Sequence, residues 1–267
     1  MSVSFKNICI VISILFTLIL FIAISSLFVV PNPHDVIGAL KSPEMIYSLK
    51  LSVITALIAT TGAMFIAIPV GYALSRFSFR GKNIVKSILD LPMAFPELVL
   101  GLALLLLFGN TAIGKALEAM GIEVVFTKTG IVVAQFFTGL PYAVRIICST
   151  FNGINPRYEL VSRSLGYGEF ETFKNVTLPL AKSGIFASAI ITFARCVGAF
   201  GAVLILAGGS YMKTEILPIT LYLNISYGNI GMAISSGIVL IVVSFLAIAT
   251  FEWFEKGNVY SNCSFKH

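Results

Sequence analysis

Residues 109–116 read GNTAIGKA and satisfy the G-x-x-x-x-G-K spacing of a loop that binds nucleotide phosphates. Such a loop works where it follows a β-strand, opens a helix and ends in Ser or Thr, whose hydroxyl holds Mg²⁺. Here the segment follows a long apolar run and ends in Ala116. We therefore interpret it as a glycine-containing turn, and we expect the chain to have no nucleotide site and no enzymatic activity of its own.

Histidine and cysteine are too sparse for a catalytic or metal-binding site. The two histidines, His34 and His267, lie in a Pro-rich segment and at the C-terminus. The cysteines lack the paired spacing of a metal cluster or a disulfide framework; they are Cys9, Cys148, Cys196 and Cys263. We expect no catalytic residue, no metal ligand and no cofactor bound by this chain.

Two ionisable residues, Glu97 and Arg195, fall near the middle of long apolar segments. A charge at the centre of a bilayer costs between about 2.5 and 17 kcal/mol, so each should face a partner, water or the interior of a bundle. Three roles stay open: the two residues pair with each other, Arg195 contributes to an anion path, or they lie at a subunit interface. Both are candidates for a translocation path.

The elements that must position these residues are membrane helices. Hydrophobic residues make up 57% of the 267 residues and charged residues only 11%, whereas soluble proteins carry roughly 25% charged residues. Crossing a bilayer takes around 20 apolar residues in a helix, which satisfies its own backbone hydrogen bonds. The sequence predicts an all-α membrane protein with six transmembrane helices, at about 8–30, 48–75, 88–108, 130–150, 181–206 and 232–254.

Lysine and arginine set the orientation. Six spans leave both termini on one side, and twelve of these basic residues fall on that side against five on the other. The excess predicts that both termini are cytoplasmic and that the chain is a multi-pass protein of the plasma membrane. The net charge of +6 then lies on the cytoplasmic side, which fits contact with membrane lipid and requires no nucleic acid partner.

Residues 155–182, called the insert below, form a polar cytoplasmic segment between two spans. Asn155-Pro156 is typical of a helix start, and Glu159 and Arg163 would face each other at the i, i+4 spacing. Gly166-Tyr167-Gly168 should end this helix, and a second helix over about 169–176 should stop at Leu178-Pro179. The sequence predicts two short helices at a glycine bend, serving either as a surface connector or as a docking element.

The insert resembles the cytoplasmic EAA loop of ABC transporter permeases, whose pattern runs E-A-A-x-x-x-G, nine residues, then I-x-L-P. Here Gly166 is followed by nine residues and then Val176-Thr177-Leu178-Pro179. The Glu-Ala-Ala positions hold Leu160-Val161-Ser162, and Glu159 stands one residue earlier. The resemblance implies coupling to an ATPase through six residues of the insert: Glu159, Arg163, Gly166, Gly168, Leu178 and Pro179.

Other stretches resemble the same family, especially the permeases for molybdate, tungstate and sulfate. They are residues 48–82, 91–109, 193–209 and 214–225, in the family's order. One position departs, because Gly198-Ala199-Phe200-Gly201 replaces the usual Gly-Glu-Phe-Gly. The resemblance divides the chain into residues 1–44 with the first helix and an outer loop, a type-1 importer transmembrane domain over 45–252 containing the insert, and a cytoplasmic tail over 253–267.

The resemblance implies a permease subunit of an ABC importer that moves molybdate or tungstate, with sulfate or another small anion as the alternative. A separate pair of ABC subunits would bind ATP and Mg²⁺, and an extracytoplasmic binding protein would deliver the anion. A homodimer would enclose the path between two copies. An ion-driven secondary transporter and a membrane enzyme are the other classes considered. They need internal repeats, ionisable relays or paired catalytic groups at membrane depth, which the sequence does not display.

Overall fold

The computed structural model describes the backbone of residues 5–29 and 33–263 and the side chains of residues 5–29 and 36–250. The two histidine side chains and all side chains of the predicted tail lie outside these ranges. The described backbone is almost entirely helical. Four helices are long and apolar enough to cross a membrane without interruption: α1 Phe5–Val29, α3 Pro43–Arg76, α7 Lys128–Gly153 and α14 Ile230–Cys263.

Shorter helices connect and complete these four. In chain order they are α2 Pro33–Leu40, α4 Lys82–Ala94, α5 Glu97–Asn110, α6 Ala112–Ala119, α8 Arg157–Ser164, α9 Glu169–Thr172, α10 Leu178–Leu180, α11 Lys182–Val197, α12 Gly201–Ala207 and α13 Leu217–Ser226. A π-helical turn, Phe173–Thr177, joins α9 to α10. The described residues thus contain four uninterrupted spans. The number is six if two bent pairs, Lys82–Ala94 with Glu97–Asn110 and Glu169–Leu180 with Lys182–Val197, each count as one span.

The third and fifth predicted spans are not straight helices. Helices α4 and α5 meet at 114°, because Phe95 and Pro96 have extended backbone and Pro96 has no N–H to continue the helix. In the fifth span α11 ends at Val197 and α12 begins at Gly201. Each of these two spans is therefore broken close to an ionisable residue identified in the sequence.

The centre of the bundle is formed by α3 and α7, with α11 packed against both. Alanines recur along one face of α3 at Ala56, Ala59, Ala63 and Ala67, each at most 1% exposed. Small side chains let helix backbones approach closely, which is how helices pack in lipid. At Gly71 a Cβ would lie 2.6 Å from the Ile147 Cγ2 atom of α7, so this glycine serves packing.

Helix α1 has none of its described residues buried and packs against α14. It lies at the edge of the bundle and has the highest mean hydropathy of the four long helices, 3.0. The sites described next therefore involve α3 and the helices that follow it.

Candidate coupling and translocation sites

The insert folds into two short helical pieces at a glycine bend, as predicted. The Asn155 Oδ1 atom accepts from the Arg157 N–H at 3.0 Å and so caps the start of α8. Gly166 has φ +93°, a left-handed conformation that glycine adopts without the steric cost of a Cβ. The Gly168 N–H donates to Glu171 Oε2 at 3.0 Å, which begins the second piece.

The prediction that Leu178-Pro179 stops the second piece is wrong. Helix continues from Glu169 through the π turn to Leu180 and only then bends 70° into α11. In the π turn the Leu178 N–H donates to the Phe173 carbonyl, five residues back. This wider bonding accommodates the following proline, which has no N–H to donate.

Glu159 does not pair with Arg163, contrary to the i, i+4 prediction. Its carboxylate is buried and accepts from Arg76 Nε at 2.8 Å and from Thr177 Oγ1 at 3.0 Å. Arg76 also donates from Nη2 to the Ile154 carbonyl at 3.0 Å. Glu159 therefore joins α8, the π turn and the end of α3 in one buried cluster, the Glu159 cluster.

Arg163 pairs instead with Glu169, across the glycine bend, at 3.2 Å. Both side chains are exposed, 39% and 70%, so this pair contributes at most about 1 kcal/mol. Beneath it the Ser162 and Thr172 hydroxyls share a buried hydrogen bond of 3.0 Å. The two pieces of the insert are thus bonded to each other as well as to α3.

An aromatic cluster fixes the insert to two membrane helices. The Phe173 ring of the π turn lies 4.7 Å from the Tyr72 ring of α3 and 6.2 Å from the Phe151 ring of α7, between centroids. Tyr72 also meets Phe151 at 5.5 Å, nearly edge to face, an arrangement that favours aromatic pairs. A displacement of the insert would therefore be transmitted to both α3 and α7.

The outward surface of the insert carries large apolar side chains among its charged ones, and the sequence analysis missed their exposure. The large apolar side chains that it exposes are Tyr158, Leu160, Val161, Leu165, Tyr167, Phe170 and Leu180. Leu165 and Phe170 are 74% and 75% exposed. The signal was available in the sequence, because Leu160, Val161 and Leu165 are apolar residues of a short helix in an otherwise polar segment. Contiguous exposed apolar side chains of this kind mark an interaction surface.

The structure pairs Glu97 with Arg195, one of the three roles left open. Arg195 Nη2 lies 2.5 Å from Glu97 Oε1, and the guanidinium lies over the Tyr142 ring, 5.2 Å from its centroid. The Glu97 Oε2 atom accepts from the backbone N–H groups of Phe200 and Gly201 at 3.1 and 3.2 Å. One carboxylate therefore binds α11 and the start of α12.

Close backbone contact brings the two broken spans together at this pair. A Cβ at Gly101 of α5 would lie 2.9 Å from the Ala202 Cα of α12, and one at Gly201 would lie 3.0 Å from the Leu98 nitrogen. Ala199, at the position of the usual family glutamate, is fully buried. The side chains of Glu97 and Arg195 are nevertheless 21% and 39% exposed, so the pair borders on an accessible space.

The segment resembling a phosphate loop forms the turn between α5 and α6, with no strand before it. Thr111 Oγ1 accepts from the Ile113 N–H at 3.2 Å and begins α6. A Cβ at Gly114 would overlap the Phe108 carbonyl oxygen. This glycine is therefore explained by the close turn between the two helices.

Two neighbouring acidic residues, Glu44 and Glu215, lie at the opposite end of α3 from the insert and were not singled out from the sequence. Glu44 Oε1 accepts from Asn224 Nδ2 at 3.0 Å. Glu215, in the loop before α13, is 2% exposed, and its Oε2 atom has no hydrogen-bond partner within the described residues. Burial raises the pKa of Glu215, and the neighbouring Glu44 carboxylate raises it further.

Comparisons with known proteins agree with this architecture. The family described as "Binding-protein-dependent transport system inner membrane component" matches residues 66–259. The molybdate/tungstate transport system permease protein of Methanocaldococcus jannaschii is 35% identical over 232 residues, 86% of this chain and 90% of that protein. The sulfate transport system permease protein of Salmonella typhimurium is 29% identical over 208 residues, 78% of this chain and 75% of that protein.

Among solved structures, a bacterial alginate ABC transporter in complex with an alginate-bound periplasmic protein contains a similar fold. The TM-score is 0.71 at 14% identity, with 92% of this chain and 93% of that chain covered. The family match and the relatives confirm the predicted ABC permease resemblance and the predicted membrane location. Since the match takes in the insert, both broken spans and most of α14, the chain belongs to the family of binding-protein-dependent transport system inner membrane components.

Proposed function

We propose that this chain is the permease subunit of an ABC importer that moves a tetrahedral oxyanion, molybdate or tungstate first and sulfate as the alternative. One observation supports the coupling role: the insert is bonded to α3 through buried Glu159, while its outward surface exposes large apolar side chains. The similarity to molybdate/tungstate and sulfate permeases supports the substrate class.

The exposed apolar side chains of the insert would dock on a separate ATP-binding subunit, present as a pair. ATP and Mg²⁺ would be bound by those subunits, so this chain would bind no cofactor. The Glu159 cluster and the aromatic cluster would then convert movement of the ATP-binding subunits into movement of α3 and α7. A coupling element has to be stiff, and the buried hydrogen bonds at Glu159 supply that stiffness.

Two copies of the chain would enclose the path, and an extracytoplasmic binding protein would deliver the anion. Arg195 is the cation best placed to meet a divalent oxyanion, because its guanidinium is partly exposed at a break in the fifth span. Glu97 would balance its charge when no anion is present. An anion that replaces Glu97 would keep Arg195 paired at membrane depth, and the Glu97 carboxylate would keep the N–H groups of Phe200 and Gly201 as donors.

Reconstitution tests this function. We expect vesicles containing the chain, its ATP-binding subunit and its binding protein to accumulate labelled molybdate in an ATP-dependent way, and the detergent-extracted chain to retain the ATP-binding subunit. The affinities of the cognate binding protein for molybdate, tungstate and sulfate would separate the substrates. A purified chain that never retains an ATP-binding subunit, or complete vesicles that take up none of these anions, would contradict the proposal.

A further inference from the structure

A polar cavity of about 330 Å³ opens between α3, α4 and α7 on the side of the bundle where the insert lies. Its polar lining consists of Lys86 and Asp90 from α4 and Arg145, Ser149 and Asn152 from α7, with the Cys148 thiol beside them. The volume is at the lower end of the range for small-molecule sites, about 300–1,000 Å³. The cavity therefore has the size and the hydrogen-bonding groups for a small polar ligand.

The charges of this cavity favour an anion. Lys86 and Arg145 contribute two positive charges and Asp90 one negative charge, and no salt bridge joins any of them within the described residues. Guanidinium and ammonium groups donate strong hydrogen bonds to oxyanions, and the Ser149 hydroxyl and Asn152 amide are further donors. A divalent oxyanion would thus find two cations and two neutral donors.

The polar α7 residues of the cavity lie on the same face of that helix as Tyr142, the residue that contacts Arg195. Tyr142, Arg145, Ser149 and Asn152 are spaced by three, four and three residues, which places them on one side of a helix. The Tyr142 ring lies beneath the Arg195 guanidinium, and Arg145 is one turn further towards the insert. Arg145, Ser149 and Asn152 are all exposed, and a polar, exposed stripe on a spanning helix faces water or protein in preference to lipid.

We infer that this cavity binds a free tetrahedral oxyanion on the cytoplasmic side of the membrane, as the next binding site after Arg195 on the transport path. The path that it would complete rests on the proposed function, whereas binding itself depends only on the cavity. Asp90 reduces the net charge of the site to +1. Conduction requires binding that is favourable enough to admit an ion and weak enough to release it. Asp90 would weaken the binding of the anion and so favour its release.

Cys148 provides a local readout of binding. Its thiol is free and partly exposed and lines the cavity, so a bound anion should slow its alkylation by the neutral reagent iodoacetamide. The experiment uses the complete transporter in detergent with molybdate or sulfate as the probe, and mass spectrometry of the peptide that carries Cys148. We expect both anions to protect Cys148 in a concentration-dependent way.

Variants of the cationic and acidic residues should shift the half-protecting anion concentration in opposite directions. Lys86→Gln and Arg145→Gln should each raise the half-protecting concentration on the order of tenfold or more, because a charged hydrogen bond is lost. Asp90→Asn should lower it, which a general loss of folding would not do. Arg80→Gln is the matched control, since Arg80 is an exposed cation in the turn on the same side but outside the cavity, and it should leave protection unchanged.

Failure to protect Cys148 in the unmodified transporter, or protection that Arg145→Gln and Lys86→Gln leave unaltered, would overturn the inference. Protection by phosphatidylglycerol in nanodiscs that added molybdate does not change would assign the cavity to a lipid headgroup and also overturn it. Vesicle uptake of molybdate, measured in parallel, tests the proposed function separately. Uptake without Cys148 protection would refute only the cavity, and protection without uptake would refute only the importer.

Discussion

Replacing Glu159 with glutamine should release the insert from α3. The change keeps the shape of the side chain but removes the negative charge that faces Arg76, whose side chain is only 10% exposed. Thr177 loses a charged acceptor at the same time. The perturbation therefore acts on the one buried ion pair that connects the insert to the bundle within the described residues.

The size of the effect follows from the burial of the pair. Removing one partner of a buried ion pair costs about 3 to 5 kcal/mol, because the other charge stays buried and unpaired. Arg76 would regain water when the insert detaches, so the lower figure, about 3 kcal/mol, applies to detachment. Since about 1.4 kcal/mol corresponds to a factor of ten, the detached population should rise on the order of 100-fold.

Hydrogen exchange measures this population directly. Amide protection over residues 157–180 should fall on the order of 100-fold in the Glu159→Gln variant, while amides in the centre of α3 and α7 keep their protection, because local opening governs exchange in each region. In reconstituted vesicles the same variant should hydrolyse ATP with reduced anion uptake per ATP. Transport measured alone would not separate coupling from a damaged path.

Glu169→Gln is the matched control, because it removes an equivalent charge from the exposed pair with Arg163. Exposed pairs are worth about 0 to 1 kcal/mol, so insert protection should change by no more than about fivefold. If Glu159→Gln and Glu169→Gln lower protection equally, the Glu159 cluster does not hold the insert and the reasoning fails. Adding Arg76→Gln to Glu159→Gln should restore part of the protection, because no buried charge is then left unpaired.

Three further predictions concern other parts of the chain. Gly166→Pro should uncouple ATP hydrolysis from transport while the spans still insert, because proline cannot adopt φ +93°; normal coupling in this variant would mean that the insert is only a surface connector. Gly166→Ala should destabilise the bend by about 1 to 2 kcal/mol, whereas Gly153→Ala should not, because Gly153 has equally open surroundings but lies in a helix. Arg195→Ala should lower anion uptake at least tenfold, while the ATP-binding subunit still co-purifies with the chain. If the double variant Arg195→Gln, Glu97→Gln keeps full uptake, the pair is purely structural and the prediction is wrong. The folded protein should hold the Glu215 proton more tightly than the unfolded chain, because burial raises the pKa of Glu215. The stability that this proton provides is therefore present at low pH and is lost as the pH rises through the carboxyl range towards the raised pKa. Glu215→Gln should flatten this pH dependence of the melting temperature and the exposed control Glu118→Gln should not; equal slopes in the two variants would contradict the assignment.

Local patterns in the sequence predicted the local features of the insert correctly. Asn155 caps a helix and Gly166 takes the left-handed bend, because capping and positive φ depend on a few neighbouring residues. Hydropathy predicted the third span as one apolar run over about 88–108, but hydropathy does not register the 114° change of direction at Phe95-Pro96. The exposure of large apolar side chains on the insert was also missed, because a sequence pattern does not show which face of a short helix the rest of the protein covers.

The two acidic residues of the sites show the same division. Glu159 was predicted to pair with Arg163 four residues away, a contact worth about 0.2 to 0.5 kcal/mol on a helix. It pairs instead with Arg76, 83 positions away along the chain. Glu97 and Arg195, 98 positions apart, were predicted as a pair among other roles, because charges at membrane depth need partners, but the N–H groups of Phe200 and Gly201 were not foreseen.

By itself the sequence determined the membrane class, the approximate position of the spans, the glycine bend and the family. Hydropathy, turn conformation and motif spacing each depend only on residues that are close together along the chain. The tertiary structure alone decided which buried charges meet, where two spans break and which cations surround the cavity beside Arg145. These features depend on which helices lie next to one another, and that is settled by packing of small residues such as Gly71 and Gly101. No periodicity along one helix identifies the neighbour against which it packs.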